Sequence, residues 1–291
     1  MKNISWLLFA FLLVSCGASG SNKSNTKPND TIVKDSNLMP SASMIQTIKS
    51  NDTIILIGKT PVWVLSPTGT IKAEILVLPG WNFKKEKINQ ESDFCKKALS
   101  AGYRLVLPEM MKSVYATNYF PETRSDYKQN LTLTWVTDTM IKSLQKDYGI
   151  FMGKNNYLHG ISTGSRGAAL VHLKTGGLFT KVVLLSGDYD QTKMTNDNLM
   201  KNTYGAYNLF KDRWATIDNP FNLSAQFWTA QLYIGHGMED DVVPVQQSIS
   251  FADKIEKDHP ECKVLKSFPA AKHDFNFWGG ETDAILNFYQ N

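Results

Sequence analysis

Residues 157–169 read YLHGISTGSRGAA and place Ser162 in the pattern G-x-S-x-G, running from Gly160 to Gly164. A serine hydroxyl is a weak nucleophile: it needs a base, and the base needs a carboxylate to hold it in one tautomer. Glycines two positions before and two after the serine suit a sharp strand-to-helix turn, where larger side chains would collide. Such a turn exposes the serine Oγ at a sheet edge and aims a helix N-terminus at it, which favours negative charge there.

Five histidines are available as the base. His159 and His236 stand at strand ends beside glycine, His172 falls inside the helix after the turn, and His259 precedes a proline. His273, in KVLKSFPAAKHDFNFW, follows the last strand, where a parallel sheet delivers loop side chains to the same edge as Ser162. His273 is therefore the expected general base. The segment YIGHGMEDDVVP offers the carboxylate, from Asp240 or Asp241.

The elements that must bring these residues together are short apolar runs alternating with helical patterns. The runs predict strands at 53–57, 62–66, 74–78, 104–107, 156–159, 181–186, 231–236 and 263–268, the first two forming a hairpin across Gly-Lys-Thr-Pro. One helix is expected between 85 and 101, stopped by Gly102. Others follow at 131–148, where Leu133, Val136, Met140, Ile141, Leu144 and Tyr148 share a face, and around Val245, Ile249, Ala252 and Ile255. The last helix begins near Thr282. Residues 189–229 break the rhythm: they hold Tyr204, Tyr207, Phe210, Trp214, Phe221 and Trp228 without a clear strand, and are expected to cap the carboxyl edge of the sheet.

The N-terminus has a different character. One lysine precedes an apolar run over 4–14, too short to span a bilayer and suited to a signal-peptide core. The run ends in Leu13-Val14-Ser15-Cys16, which resembles the lipobox of bacterial lipoproteins. That resemblance implies removal of residues 1–15, a lipid on Cys16, and an exported chain held at the cell envelope, outside the cytoplasm. Residues 16–50, rich in Ser, Asn and Lys, cannot bury enough apolar surface to offset their ordering entropy and read as a flexible tether. The folded domain then covers 51–291. A formal charge of +4 is too small and dispersed for a nucleic-acid surface. Cys95 and Cys262 remain, as separately buried thiols or as a bridge permitted in an exported compartment.

The order strand–Ser162, strand–Asp240, strand–His273 resembles the α/β-hydrolase superfamily, over nearly all of 53–291. The resemblance implies a mostly parallel eight-stranded sheet with helices on both faces and a short cap insertion. It favours Asp240 as the acid, because Gly237-x-x-Asp240-x-x-Val243-Pro244 is similar to the family's segment there; Asp241, and Asp188 after the preceding strand, stay as alternatives. It also implies an oxyanion hole built from the backbone N–H groups of Thr163 and of Trp81 in ILVLPGWNF, with Asn82 as an adjunct. Tyr115 and Tyr119 either line the pocket or pack their loop down. Arg166 either reaches a substrate carboxylate or forms a helix-surface salt bridge. Ser165, where relatives often have a second glycine, and Pro108-Glu109, where they often have Pro-Asp, depart from the pattern.

The function expected on this basis is hydrolysis of a carboxylic ester through an acyl-enzyme, the substrate being a small-molecule, glycan or lipid acyl ester. An ester is favoured over a peptide because peptidases of this fold commonly carry a large additional domain, whereas the insertion here is short. No cofactor is expected, and the sequence has no H-E-x-x-H or clustered Cys/His spacing for a metal. A non-catalytic binding lipoprotein, a serine peptidase and an acyltransferase are the competing readings.

Overall fold

The computed structural model describes residues 45, 46, 48, 50–227 and 230–291. The signal segment, Cys16, nearly all of the tether and Trp228 lie outside the described residues. Eight strands form one sheet: β1 (Asp52–Ile57), β2 (Thr60–Leu65), β3 (Ala73–Leu78), β4 (Tyr103–Pro108), β5 (Asn156–Ile161), β6 (Lys181–Leu185), β7 (Gln231–Gly235) and β8 (Val264–Ser267). Their order is β1-β2-β4-β3-β5-β6-β7-β8. The β1–β2 and β2–β4 pairs are antiparallel and the rest parallel. This is the α/β-hydrolase architecture, and each of the eight predicted strands is present.

Both faces of the sheet are covered, so its central strands are apolar on both sides. Along β3, Ile75 and Val77 enter one core while Leu76 and Leu78 enter the other. The first core is closed by α1 (Lys87–Glu91), α2 (Phe94–Ser100), α8 (Phe275–Gly280) and α9 (Thr282–Gln290). The second is closed by α3 (Lys142–Tyr148), α4 (Thr163–Thr175) and α7 (Gln246–Asp258). The single helix expected over 85–101 is two helices, because Ser92 breaks it: its hydroxyl donates to Ile88 O at 2.6 Å and accepts from the Phe94 N–H, in place of the helical ladder. The 131–148 helix begins as a π-helix, Trp135–Ile141, before continuing as α3. Helix α8 was not anticipated; Asp274 caps it by accepting from the Phe277 N–H.

Residues 189–227 fold as α5 (Asn198–Tyr204), α6 (Lys211–Thr216) and two 3-10 turns. They do not cap the sheet alone. Met200, Tyr204 and Trp214 pack with Val114, Ala116 and Tyr127 from the segment after β4, so the cap is built from two chain segments. Cys95 is buried, Cys262 is half-buried, and both are free, which removes the bridge alternative.

One core residue makes stability depend on acid. His159 on β5 is buried, its ring centroid lies 4.3 Å from that of Phe94, and neither ring nitrogen has a hydrogen-bond partner among the described residues. Burial pushes its imidazole down to about 3, against about 6.5 in an unfolded chain. Between those values the unfolded state binds a proton that the folded state refuses, so stability is full above pH 6.5 and falls as pH drops. Urea unfolding is expected to lose about 2 kcal/mol from this residue between pH 7 and 5. His159→Leu should remove that part of the slope; an unchanged slope would show that the site is hydrated.

Candidate active site

The turn between β5 and α4 holds Ser162 with φ 56° and ψ −127°. A non-glycine residue persists there only when its surroundings dictate it. Here the dictating feature is close approach. A Cβ on Gly160 would lie 2.3 Å from Gly164 O, and one on Gly164 would lie 2.1 Å from Leu78 O. Only glycine lets α4 press against β3 and β5 so tightly, which is why the serine is raised above the sheet edge.

His273, in the loop between β8 and α8, meets this serine. Its Nε2 is 2.9 Å from Ser162 Oγ and its Nδ1 is 2.6 Å from Asp240 Oδ2. A carboxylate accepts only, so Nδ1 carries the proton and Nε2 is left to accept from the serine hydroxyl. Trp278 packs edge-on against the imidazole at 5.0 Å. Burial by itself would raise the Asp240 carboxyl, but hydrogen bonds from His236, His273 and the Val243 amide together hold it well below the usual carboxylate range. The Asp241 alternative is exposed. Asp188 is buried, with burial raising its carboxyl to about 6 against the pull of Arg166. Its Oδ2 faces Arg166 Nε at 3.6 Å rather than His273 Nδ1.

Thr163 is the first residue of α4, so its N–H has no intrahelical acceptor. Trp81 follows β3 and lines the same cavity as Ser162 and Thr163. A Cβ on Gly80 would be 3.1 Å from Ser162 Cβ, which shows how near that loop runs. Asn82 does not serve as an adjunct: its N–H is spent on Met111 O at 2.7 Å and its side chain is exposed. Tyr115 does not line the pocket either; it is fully buried, donates to Pro79 O at 2.8 Å and packs on the bare backbone of Gly167. Tyr119 donates to Asn130 O at 3.2 Å and packs its loop down. Arg166 matches neither expectation. It is 1% exposed and donates to Val114 O, Tyr204 Oη, Asp218 O and Gln191 Oε1, tying α4 to the cap.

The cavity over Ser162 holds about 240 Å³. Phe83, Met194, Leu199, Met200, Val242 and Val243 form its apolar wall, with Asp188 and Asp197 as its carboxylates. Sequence reading missed Met194, Leu199 and Met200, because their contribution depends on how α5 folds over the edge. It also missed His236, whose one signal was its place at the end of the strand leading to Asp240. Among the described residues no cluster of His, Cys, Asp or Glu could hold a metal ion, and no helix is long and apolar enough to cross a membrane.

Comparison with solved structures supports the fold. Fluorophosphonate-binding serine hydrolase F of Staphylococcus aureus, solved with substrate bound, superposes with a TM-score of 0.64 at 14% identity, covering 83% of this chain and 100% of that one. MPT51 of Mycobacterium tuberculosis gives 0.64 at 15%, covering 82% and 97%. The acylaminoacyl peptidase of Pyrococcus horikoshii gives 0.62 at 12%, covering 85% of this chain and 42% of that one. No curated protein matches the sequence. The model of the prolyl oligopeptidase family matches residues 122–291, the stretch that carries Ser162, Asp240, His273 and the cap helices. On that match the chain belongs to the prolyl oligopeptidase family, a family of serine hydrolases with the α/β-hydrolase fold.

Proposed function

We propose that this protein hydrolyses a carboxylic ester through an acyl-enzyme, with Ser162 as nucleophile, His273 as general base and then acid, and Asp240 as the group that orients the imidazole. The observation that carries this reading is the continuous Ser162–His273–Asp240 chain, at 2.9 and 2.6 Å, opening into an apolar cavity. Attack by Ser162 Oγ on the carbonyl passes its proton to His273 Nε2, and the imidazolium is stabilised by Asp240. The N–H groups of Thr163 and Trp81 hold the oxyanion. His273 then protonates the leaving alcohol, and water releases the acyl group by the reverse sequence. An ester is favoured because the wall, Trp81 included, offers seven apolar side chains to an acyl chain, whereas an extended peptide is recognised by main-chain hydrogen bonding.

The second reading, an amide or peptide substrate, is favoured by the family itself. A fluorophosphonate probe tests the shared chemistry: wild-type protein is expected to label, and Ser162→Ala to lose labelling completely. Absence of labelling on folded wild-type protein would leave a binding protein on this fold. Matched p-nitrophenyl esters and aminoacyl p-nitroanilides then separate ester from amide.

The cavity also bears on acyl charge. Asp188 and Asp197 line it, and among the described residues no lysine or arginine does. An acyl group ending in a carboxylate is therefore expected to react about tenfold more slowly in kcat/KM than its neutral isostere, hemisuccinate against 4-methylpentanoate. With Asp188 raised to about 6, its charge is present above that pH, so discrimination should grow from pH 5.5 to 8. Equal rates across that range would remove the carboxylates from substrate selection.

As a further part of the proposal, residues 1–15 are an export signal, Cys16 carries a lipid, and residues 16–50 tether the 51–291 domain to a membrane of the bacterial envelope. Cys16→Ser should release the protein from the membrane fraction.

A further inference from the structure

We propose that His236 is a positioning residue for this reaction, a second imidazole that locks the Asp240 carboxylate in the orientation that holds His273. The inference rests on the hydrolase reading above. His236 directly follows β7 and its side chain is fully buried. Its Nε2 lies 2.9 Å from Val243 O and 3.0 Å from Asp240 Oδ2. A carbonyl and a carboxylate oxygen both accept only, so the proton sits on Nε2, donated to Val243 O with its positive edge against Asp240 Oδ2. Nδ1 is then an acceptor, satisfied by the Ser248 hydroxyl of α7 at 2.7 Å.

The consequence falls on Asp240. Its Oδ1 accepts from the N–H groups of Val242 and Val243 at 2.9 and 2.8 Å. Its Oδ2 accepts from His273 Nδ1 at 2.6 Å, and His236 Nε2 stands against the same oxygen at 3.0 Å. Three N–H groups donate to the carboxylate, and the polar edge of a second imidazole closes its remaining side. Without His236, Oδ2 would be held by His273 alone, and nothing on that side would keep the carboxylate in plane while the imidazole gains and loses a proton. Val243 closes the arrangement, since its N–H donates to Asp240 and its carbonyl accepts from His236. The acid loop is thus pinned through His236 to β7 and, through Ser248, to α7. The His236 contact matters most when His273 is charged, which is the transition state rather than the bound ester.

The test compares three variants of the full chain on p-nitrophenyl butyrate. His236→Gln can place an amide N–H where Nε2 sits, whereas His236→Asn reaches only as far as Nδ1, and His236→Phe removes both. His236→Phe and His236→Asn are expected to lower kcat roughly 10- to 100-fold with KM within about twofold, the loss expected for one hydrogen bond to a charged group. His236→Gln is expected to recover most of that loss. If His236→Phe does not fold, the contrast between Gln and Asn decides alone. Equal kcat in Gln and Asn, or wild-type kcat in all three, overturns the proposal while the hydrolase reading stands. Wild-type protein that fails to label with a fluorophosphonate overturns both.

Discussion

Ser162→Ala is expected to lower kcat for a p-nitrophenyl ester by about a million-fold, and Asp240→Asn by about ten-thousand-fold, with both variants folded. The size of the first follows from the absence of a substitute: the residue that meets His273 Nε2, at 2.9 Å, is Ser162. The second follows from the tautomer. His273 Nδ1 must carry its proton for Nε2 to accept one, and Asp240 Oδ2 at 2.6 Å enforces that state. An asparagine amide facing Nδ1 would reverse it. Asp188→Asn supplies the contrast. Its carboxylate faces Arg166 at 3.6 Å, so its loss should cost less than about tenfold in kcat. Steady-state rates of the three variants, with circular dichroism as a folding control, decide the matter. An Asp240→Asn enzyme that stays active while Asp188→Asn is dead would move the acid to the end of β6.

The residues on strand ends were legible in the sequence for a simple reason. A parallel sheet sends every strand's carboxyl end to one edge, so a serine, an aspartate and a histidine that each follow an apolar run must arrive together. The glycines around Ser162 were legible because no other residue allows the close approach of Gly164 to Leu78 O. What could not be read was whatever depends on depth. Arg166 looked like a charge on a helix surface, yet residues Thr163 through His172 of α4 are all buried, so a side chain anywhere on that part of the helix is interior. The small residues Gly164, Ser165, Gly167, Ala168 and Ala169 were the available sign of a helix packed on every side. Tyr115 was ambiguous for the same reason, since its partner is the missing side chain of Gly167. His236 carried no periodic or spacing signal that distinguishes a buried donor from a strand-end histidine. The break at Ser92 is a competition between one hydroxyl and one helical hydrogen bond, too fine a balance for apolar periodicity to register.

Arg166→Met is expected to cost about 3–5 kcal/mol of stability, the price of breaking a buried charged network from one side. Burial works against the guanidinium's charge, but Tyr204, Asp188 and Asp218 more than compensate and hold it above the ordinary arginine value. Its loss would strand the carbonyls of Val114 and Asp218 and the side chain of Gln191, all of which accept from it. These partners sit on both cap segments, so the cap should loosen from α4 before the sheet unfolds. Asp188 would be left without its cation, and its carboxyl, already raised to about 6, would rise further. A group raised on folding contributes full stability below its unfolded value of about 3.9 and loses it as pH climbs through the folded value. The variant should therefore be most destabilised above pH 6, with Tm lowered by about 10 °C at pH 8 and by less at pH 5. Adding Asp188→Asn to Arg166→Met should restore part of the loss, because it removes the unpaired charge without refilling the space. Thermal melts of the single and double variants at the two pH values measure this. A double variant no more stable than Arg166→Met alone would mean that the hydrogen bonds to Val114, Gln191 and Asp218, rather than the charge on Asp188, carry the attachment of the cap.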